Sequence, residues 1–247
     1  GTMINVSNVD ETFDSFENGE RIIIMQMQDD VIGANTFDNT NFGDLASIAN
    51  AGIYEVATIL SHTEAAGLPV NITLTAPLVN SYNFSANSSV QVISYRRLGS
   101  PNYTTTSNIT SIAWNGNIGG VVAIEVLGVL TLGHNISTDA LGFRGGVKSV
   151  DDNTACNAGP YRSNSNIFGA KGEGIYKVTS ANHTSARAKI INGGGGGSSN
   201  NGGGGGGGNF TGGGIGGPGW QCAASQGYGF GGVELSTVIS GSRIFMG

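Results

Sequence analysis

Four stretches near the N-terminus carry apolar and β-branched side chains in runs or in alternation with polar ones. They are residues 21–28, 54–63, 71–78 and 90–98, and turn-forming Gly, Pro and Asn residues separate them. Segments of this length and composition are typical of β-strands. We therefore predict that residues 1–98 form a small β-barrel or β-sandwich, in which only residues 42–50 have the pattern of a short helix.

The pattern changes over residues 99–146, where shorter Thr-, Ser- and Val-rich segments alternate with Gly, Asn and Asp. Apolar runs interrupted in this way resemble successive turns of a β-solenoid, in which each turn buries one side against the next. No fixed repeat length is visible over so short a stretch. The region is predicted to form β-solenoid-like strands, and the alternative is that these strands complete the preceding sandwich.

Glycine dominates the last region, residues 147–247, above all residues 193–197, 202–208 and 212–219. One interpretation is a flexible linker. Such linkers do not normally contain large apolar residues, whereas Phe210, Ile215 and Trp220 interrupt this tract. The interpretation we favour is an ordered bundle of glycine segments with the shape of polyproline II helices. These helices have no internal hydrogen bonds, so each N–H needs a partner on a neighbouring segment or in water.

Composition and charge narrow the classes of partner. Of the 247 residues, 43 are glycine and only 11% are charged, with a formal net charge of −6. No basic cluster occurs, so nucleic acid is not an expected partner. The longest apolar run, residues 121–132, is interrupted by Glu125. It is shorter than the roughly 20 residues that a membrane-spanning helix needs, so no membrane span is predicted.

The chain has two cysteines, Cys156 and Cys222, which flank the glycine tract. Their separation fits neither a C-x-x-C redox motif nor a four-ligand zinc site. We predict a disulfide between them, because closing a long glycine-rich loop would strongly restrict the unfolded chain. Two unrelated buried thiols are the alternative. A disulfide would in turn favour an oxidising compartment outside the cytosol.

Residues with catalytic chemistry are sparse. His62, His134 and His183 stand far apart without metal-ligand spacing, and no phosphate-loop or serine-nucleophile motif occurs. The adjacent acidic pairs at residues 29–30 and 151–152 lie beside turn-forming residues. This position favours solvated turn carboxylates over a calcium contact or a catalytic pair. We therefore predict no catalytic residue, no metal site and no cofactor.

A binding surface is the better hypothesis for the C-terminal region. Trp220, Tyr228 and Phe230 are aromatic residues within or beside the glycine tract. On a rigid glycine framework, their rings are suited to stacking on sugar rings. The alternative is that the three side chains pack in a core. We take them as the candidate ligand-binding residues.

Eight blocks of the sequence, which together span nearly the whole chain, share their type and order with one group of proteins. The blocks are FENGERIIIMQMQ (16–28), NAGIYEVATI (50–59), APLVNSY (76–82), WNGNIGGVVAIEVLGVLTL (114–132), LGFRGG (141–146), GAKGEGI (169–175), NGGGGG (192–197) and SRIFMG (242–247). They resemble the Gly-rich region of very large secreted proteins of Bacteroidota, which often carry type IX secretion or gliding-motility-associated C-terminal modules. The resemblance implies an adhesin-like surface role, with no catalytic residue to carry over. It also implies a chain that continues beyond Gly247.

These observations predict an all-β chain in three regions: a barrel or sandwich (1–98), solenoid-like strands (99–146) and a disulfide-closed glycine-rich region (147–247). The predicted function is a non-enzymatic module of a secreted or cell-surface adhesin, which provides a rigid scaffold and a contact surface. Its expected partners are the remainder of a larger surface protein and surface glycans or further copies of itself. Two other functions fit the sequence: a carbohydrate-active β-solenoid enzyme, and a structural spacer or filament subunit. An enzyme would need a groove with converging carboxylates, which an adhesin does not.

Overall fold

The computed structural model describes residues 1–30, 35–150 and 155–246. Within these residues the chain is essentially all-β, with eight strands and one short 3₁₀ helix, Ala181–His183. The strands are β1 (Met3–Asn5), β2 (Arg21–Gln28), β3 (Tyr54–Ala65), β4 (Leu68–Leu74), β5 (Ser89–Arg97), β6 (Tyr103–Thr104), β7 (Ile124–Glu125) and β8 (Leu130–Thr131). The four long strands, β2 to β5, lie where the hydrophobic pattern predicts strands. The described residues contain no helix that is long and apolar enough to cross a membrane.

The long strands belong to one six-stranded sheet with the order β1-β4-β3-β2-β5-β7. β1, β4, β3 and β2 pair antiparallel in succession, and Arg21 of β2 lies opposite Thr58 of β3. β1 and β7 end the sheet at opposite edges, so the sheet is open. The predicted alternative of a closed barrel is therefore wrong for the described residues. A barrel requires every strand to pair on both sides, whereas the short strands β1 and β7 each pair on one side only.

Short parallel pairs occupy the region that was predicted to be solenoid-like. β6 pairs with β8 in parallel, with Tyr103 opposite Leu130, and Ile109 forms an isolated parallel bridge with Ile136. The partners are 27 residues apart in both cases. The sequence carries a trace of this spacing, because Asn-Ile-Thr at 108–110 recurs as Asn-Ile-Ser at 135–137. A match of three residues is too short to be recognised as a repeat without the pairing, and Asn-Ile-Thr also occurs at 71–73, at a different spacing.

The chain divides into two compact units. The first comprises residues 1–26, 53–82 and 90–142, and the second comprises residues 27–52, 83–89 and 143–247. The core of the first unit contains Phe16, Ile22, Ile24, Ile59, Ile72 and Leu74. The second unit has two small cores, one of Ala51, Ile175, Ile191 and Leu235 and the other of Phe42, Ala188 and Ile190. Both units thus bury apolar side chains of their own.

The predicted helix over residues 42–50 is wrong. These residues form turns and an isolated bridge instead. Gly43 has a φ of +75°, which a right-handed helix does not allow, and its carbonyl oxygen accepts a hydrogen bond from the Ile191 N–H at 2.8 Å. Phe42 is buried against Ala188 and Ile190. Tertiary contacts on both residues override the local helical pattern.

Candidate contact surface in the glycine-rich region

Five glycine-containing segments of the second unit lie side by side and are joined by backbone hydrogen bonds. We number them in chain order as the first (169–174), second (192–197), third (202–208), fourth (212–219) and fifth (227–233) glycine segments. Hydrogen bonds between the segments satisfy backbone N–H groups in every one of the five. Neighbours in the chain, such as the third and fourth segments, are also neighbours in space.

Hydrogen bonds between these segments recur every third residue. In the third segment, Gly203 and Gly206 donate to the fourth segment, whereas Gly205 and Gly208 donate to the second, at N···O distances of 2.7 to 2.9 Å. In the fifth segment, Gly229 and Gly232 donate to the third, also at a spacing of three. A β-strand repeats every two residues and a polyproline II helix every three. The third segment therefore directs successive backbone groups to three different neighbours.

Glycine is required where these backbones touch. A Cβ atom on Gly213 would lie 2.0 Å from the carbonyl oxygen of Gly206, and one on Gly216 would lie 2.0 Å from that of Gly203. No side chain fits at such distances. Gly214 and Gly217 differ, because no atom lies within 4 Å of the position that their Cβ would take. The fourth segment thus has one packed face, and its other faces are open.

Large apolar side chains project from the open faces of this segment and from its two ends. Phe210 is 66% exposed, Ile215 69% and Trp220 63%, and Pro218 is exposed with them. We refer to these four residues as the apolar edge. Single exposed apolar residues are common on protein surfaces, whereas several along one segment make that segment a candidate contact surface.

The three aromatic residues predicted to bind a ligand lie in different surroundings. Trp220 belongs to the exposed apolar edge. Tyr228 and Phe230 are half-buried, and their ring centroids lie 5.6 Å apart in a tilted arrangement. Trp220 makes no ring contact with either of them in the described part of the chain. Of the three, Trp220 is the side chain most accessible to a partner.

Tyr228 and Phe230 surround a buried cation that sequence reasoning did not find. Arg187 is only 2% exposed, and its guanidinium lies 4.7 Å from the ring centroid of Tyr228 and 5.3 Å from that of Phe230. Its nitrogens donate to the carbonyl oxygens of Tyr228, Ser225 and Ala158. Arginine suits this site because its planar fork serves several acceptors while its faces stack on aromatic rings. A lone Arg in the sequence SARAKI carries no signal of such a role.

We expect Arg187→Met to destabilise the second unit by about 3 kcal/mol, because it leaves three carbonyl oxygens without their charged donor. Arg187→Lys should recover only part of this loss, since an ammonium cannot reproduce the fork. Arg96→Met is the matched control, because the Arg96 side chain is 57% exposed and its ion pair with Asp14 is long at 3.5 Å. Urea unfolding of the three variants measures the differences. Equal stability of Arg187→Met and Arg96→Met would contradict the structural role of Arg187.

Lys171 is a second buried cation in the same unit. Its Nζ donates to the carbonyl oxygens of Tyr161, Ala186 and Ala188. It also lies 5.0 Å from the ring centroid of Phe42. Burial lowers the pKa of Lys171 from its usual value of 10.5 to about 7. The folded chain therefore releases this proton at a lower pH than the unfolded chain.

We expect the free energy of unfolding to rise by about 2 kcal/mol between pH 7 and pH 9, because the unfolded chain binds the Lys171 proton more tightly over this range. Lys171→Met should flatten the rise, since methionine does not titrate. Urea unfolding at a series of pH values measures both slopes. A wild-type slope no steeper than that of the variant would contradict the lowered pKa.

The structure joins Cys156 to Cys222, as the sequence predicts, with a Cα–Cα distance of 5.3 Å. Asn157, next to Cys156, ties the same region by further bonds: its N–H donates to Ser199 Oγ at 2.7 Å, and its carbonyl accepts from the Gly227 N–H at 3.1 Å. The disulfide therefore closes a loop of 66 residues that contains the first to fourth glycine segments.

The acidic residues and histidines form no reactive cluster in the described part of the chain. Asp29 is fully buried rather than solvated, and its carboxylate accepts hydrogen bonds from the Asn50 N–H at 3.1 Å and the Asn83 amide at 2.8 Å. The pair at residues 151–152 lies outside the described residues. Among the residues that are described, no three His, Cys, Asp or Glu side chains are grouped to hold a metal ion. Asp29 acts as a structural acceptor for two chain segments.

Comparisons with protein-family models, with curated proteins and with solved structures find no match for this chain. The resemblance to Gly-rich regions of secreted Bacteroidota proteins therefore stays a prediction. The function has to be argued from the surface and framework described above.

Proposed function

We propose that this chain is a non-enzymatic module of a secreted or cell-surface adhesin. In this proposal, the glycine segments form a rigid scaffold and the apolar edge is the contact surface. The observation that carries it is the fourth glycine segment. One of its faces packs so closely that only glycine fits, while Ile215 and Pro218 stand exposed on the others.

The scaffold is a bundle of polyproline-II-like segments. The spacing of three residues between hydrogen bonds supports this interpretation, and so do backbone contacts too close for a Cβ. Residues 186–190 form a further segment of this bundle. The Gly196 N–H donates to the Ala186 carbonyl oxygen, and the Phe230 N–H donates to that of Arg187. The pairings fit two layers, with the first, second and third segments in one, and residues 186–190 and the fifth and fourth segments in the other. Such a bundle is stiff because each segment is held by several neighbours.

The solenoid-like part of the proposal covers residues 99–146, and the parallel pairing starts just before it, at Arg96 of β5. The parallel pairs of β5 with β7 and of β6 with β8 place partners 27 or 28 residues apart, as successive turns of a solenoid would. Extracellular placement is supported by the disulfide, which persists in oxidising compartments. The partners in this proposal are the rest of a larger surface protein and the surface to which it adheres.

The experiment measures adhesion of beads that carry the protein to apolar and to glycan-coated surfaces. A variant with Phe210→Ser, Ile215→Ser and Trp220→Ser should adhere several-fold less while unfolding at the same urea concentration, because these side chains are exposed. Val79→Ser and Phe84→Ser form the control, since both residues are exposed apolar residues outside the edge. Unchanged adhesion of the edge variant would overturn the assignment of the contact surface.

The same protein should show no turnover when it is incubated with a broad panel of polysaccharides and esters. Within the described residues, no three His, Cys, Asp or Glu side chains are grouped together. Asp29 and Asp30 do approach each other, because both accept from the Asn83 amide, but Asp29 is fully buried and accepts a hydrogen bond at each carboxylate oxygen. Turnover that disappears on mutating Asp151 or Asp152 would favour the carbohydrate-active enzyme over the adhesin as the function of this chain.

A filament or spacer subunit is the second candidate function, and the open fourth segment favours it. The N–H groups of Gly214 and Gly217 donate no hydrogen bond within the described residues, so a second copy has backbone donors to pair with. Electron microscopy of the isolated chain decides between the two. Regular polymers that disappear in the edge variant would favour the filament, whereas dispersed single particles would favour the adhesin.

A further inference from the structure

The second unit contains a cavity of about 430 Å³, on the side of the second and third glycine segments. Most of its lining is glycine backbone, and the side chains that reach it are Phe143, Arg144, Glu173, Asn192 and Asn209. The volume is in the range of small-ligand sites. None of the apolar-edge residues lines it, so it is distinct from the contact surface proposed above.

The cavity offers a fixed pair of opposite charges. Arg144 donates through its Nε to Glu173 Oε2 at 3.0 Å and through its Nη2 to Oε1, and the Arg144 backbone N–H also donates to Oε2, at 3.0 Å. A two-bond pair of this kind is planar and directional. Its charges cancel, while the Nη1 group of Arg144 donates no hydrogen bond to any residue that the structure describes. The pair therefore suits a neutral polar ligand better than an anion.

Further hydrogen-bonding groups line the same cavity without partners. The backbone N–H groups of Gly194 and Gly207 donate no hydrogen bond within the described residues, and the Asn209 side chain has no partner there. Gly194 is buried, and a buried backbone N–H without a partner is unusual in proteins, which makes it a candidate ligand contact. Phe143, which is half-buried, adds an apolar wall. Donors and acceptors in several directions beside an aromatic wall match the hydroxyls and the C–H face of a sugar ring.

We propose that this cavity binds a neutral pyranose unit of a glycan. The proposal rests on the adhesin function, for which it names the ligand class at a second site. Sugar hydroxyls would pair with the Arg144–Glu173 edge, the Asn209 amide and the free backbone N–H groups. The open side of the cavity would let the rest of the glycan continue into solvent.

Titration calorimetry with the full chain tests the proposal, using glucose, galactose, mannose, N-acetylglucosamine and cellobiose as neutral probes, sialic acid as an acidic one and hexaglycine as a peptide. Gly145→Leu is the blocking variant, because Gly145 lines the cavity and its Cβ would meet no atom within 4 Å. Gly207→Leu is a second one, with its nearest contact at 3.5 Å. Glu173→Gln removes the charge of the pair. Gly214→Leu, also in open space but outside the cavity, is the control.

We expect at least one neutral sugar to bind to the unaltered chain. Its affinity for Glu173→Gln and for both blocking variants should be about tenfold lower, whereas its affinity for Gly214→Leu should be unchanged. Three results would overturn the proposal. The first is that no neutral sugar binds, the second is that only hexaglycine or sialic acid binds, and the third is that all three cavity variants still bind the sugar. Bead adhesion tested with a saturating concentration of the bound sugar separates this result from the adhesin function. Adhesion by a chain that binds no sugar would leave the adhesin standing and the sugar site refuted.

Discussion

Gly216→Ala is expected to destabilise the second unit by about 4 kcal/mol, through overpacking and the loss of hydrogen bonds between glycine segments. The new methyl group would lie 2.0 Å from the carbonyl oxygen of Gly203, which belongs to a backbone that cannot move without leaving its other neighbours. The adjacent Gly217→Ala is the matched control, because its methyl group meets no atom within 4 Å. This control should even stabilise by about 0.5 kcal/mol, since alanine restricts the unfolded chain.

Gly213→Ala and Gly214→Ala repeat the comparison one turn earlier, with a contact of 2.0 Å at Gly213 and open space at Gly214. Urea unfolding measures the four stabilities, and amide exchange over residues 193–219 reports the packing directly. Slow exchange at Gly203, Gly206 and Gly216 is expected, because each N–H is bonded to a neighbouring segment. Equal effects within each pair, together with exchange at the unprotected rate, would show that the tract is a flexible tether.

Loss of the Cys156–Cys222 disulfide is expected to destabilise the second unit by about 4 kcal/mol in the chain-entropy description of a loop of this length. The physical reason is that the loop of 66 residues contains most of the glycine tract, whose unfolded state gains unusual freedom when the cross-link is removed. The first unit should stay folded, because its own core includes Ile22, Ile59 and Ile72.

A double variant, Cys156→Ser with Cys222→Ser, provides the comparison without reductant, and amide exchange locates the change in each unit. Alkylation followed by mass measurement checks the bond itself in protein kept oxidised. Two alkylated thiols in that protein would refute the disulfide. Global loss of protection, in the first unit as strongly as in the second, would refute the local character of its effect.

The positions of the long strands could be predicted from the sequence because the signal is local. β2 has the bounds that the pattern indicates, and β3, β4 and β5 differ from it by a few residues at their ends. The short strands β6 and β8 carry too few residues for a periodic signal, and only the register that places Tyr103 opposite Leu130 defines them. The helix predicted over residues 42–50 failed because Gly43 is bonded to a residue far along the chain.

Some features of the candidate surface could likewise be predicted from the sequence, and others could not. Trp220 could be selected from sequence because an aromatic side chain in a glycine tract is conspicuous, and the disulfide because the chain has only two cysteines. The buried position of Arg187 and the cavity beside Arg144 and Glu173 could not be predicted from the sequence, because the residues that surround them come from separate segments. Sequence spacing carries no information about which carbonyl oxygens or rings surround a cation.

By itself, the sequence determined the all-β character, the four long strands, the cysteine pair and the concentration of glycine in one region. Each of these depends on residue type or on neighbours a few positions away. Tertiary structure alone decided that the sheet is open, that Asp29 is buried, and which glycines are indispensable. Gly216 and Gly217 are adjacent glycines that the sequence does not distinguish. They differ in whether a side chain fits, because the backbone of Gly203 lies against Gly216 and not against Gly217. Such contacts arise when distant segments pack, and no local pattern specifies them.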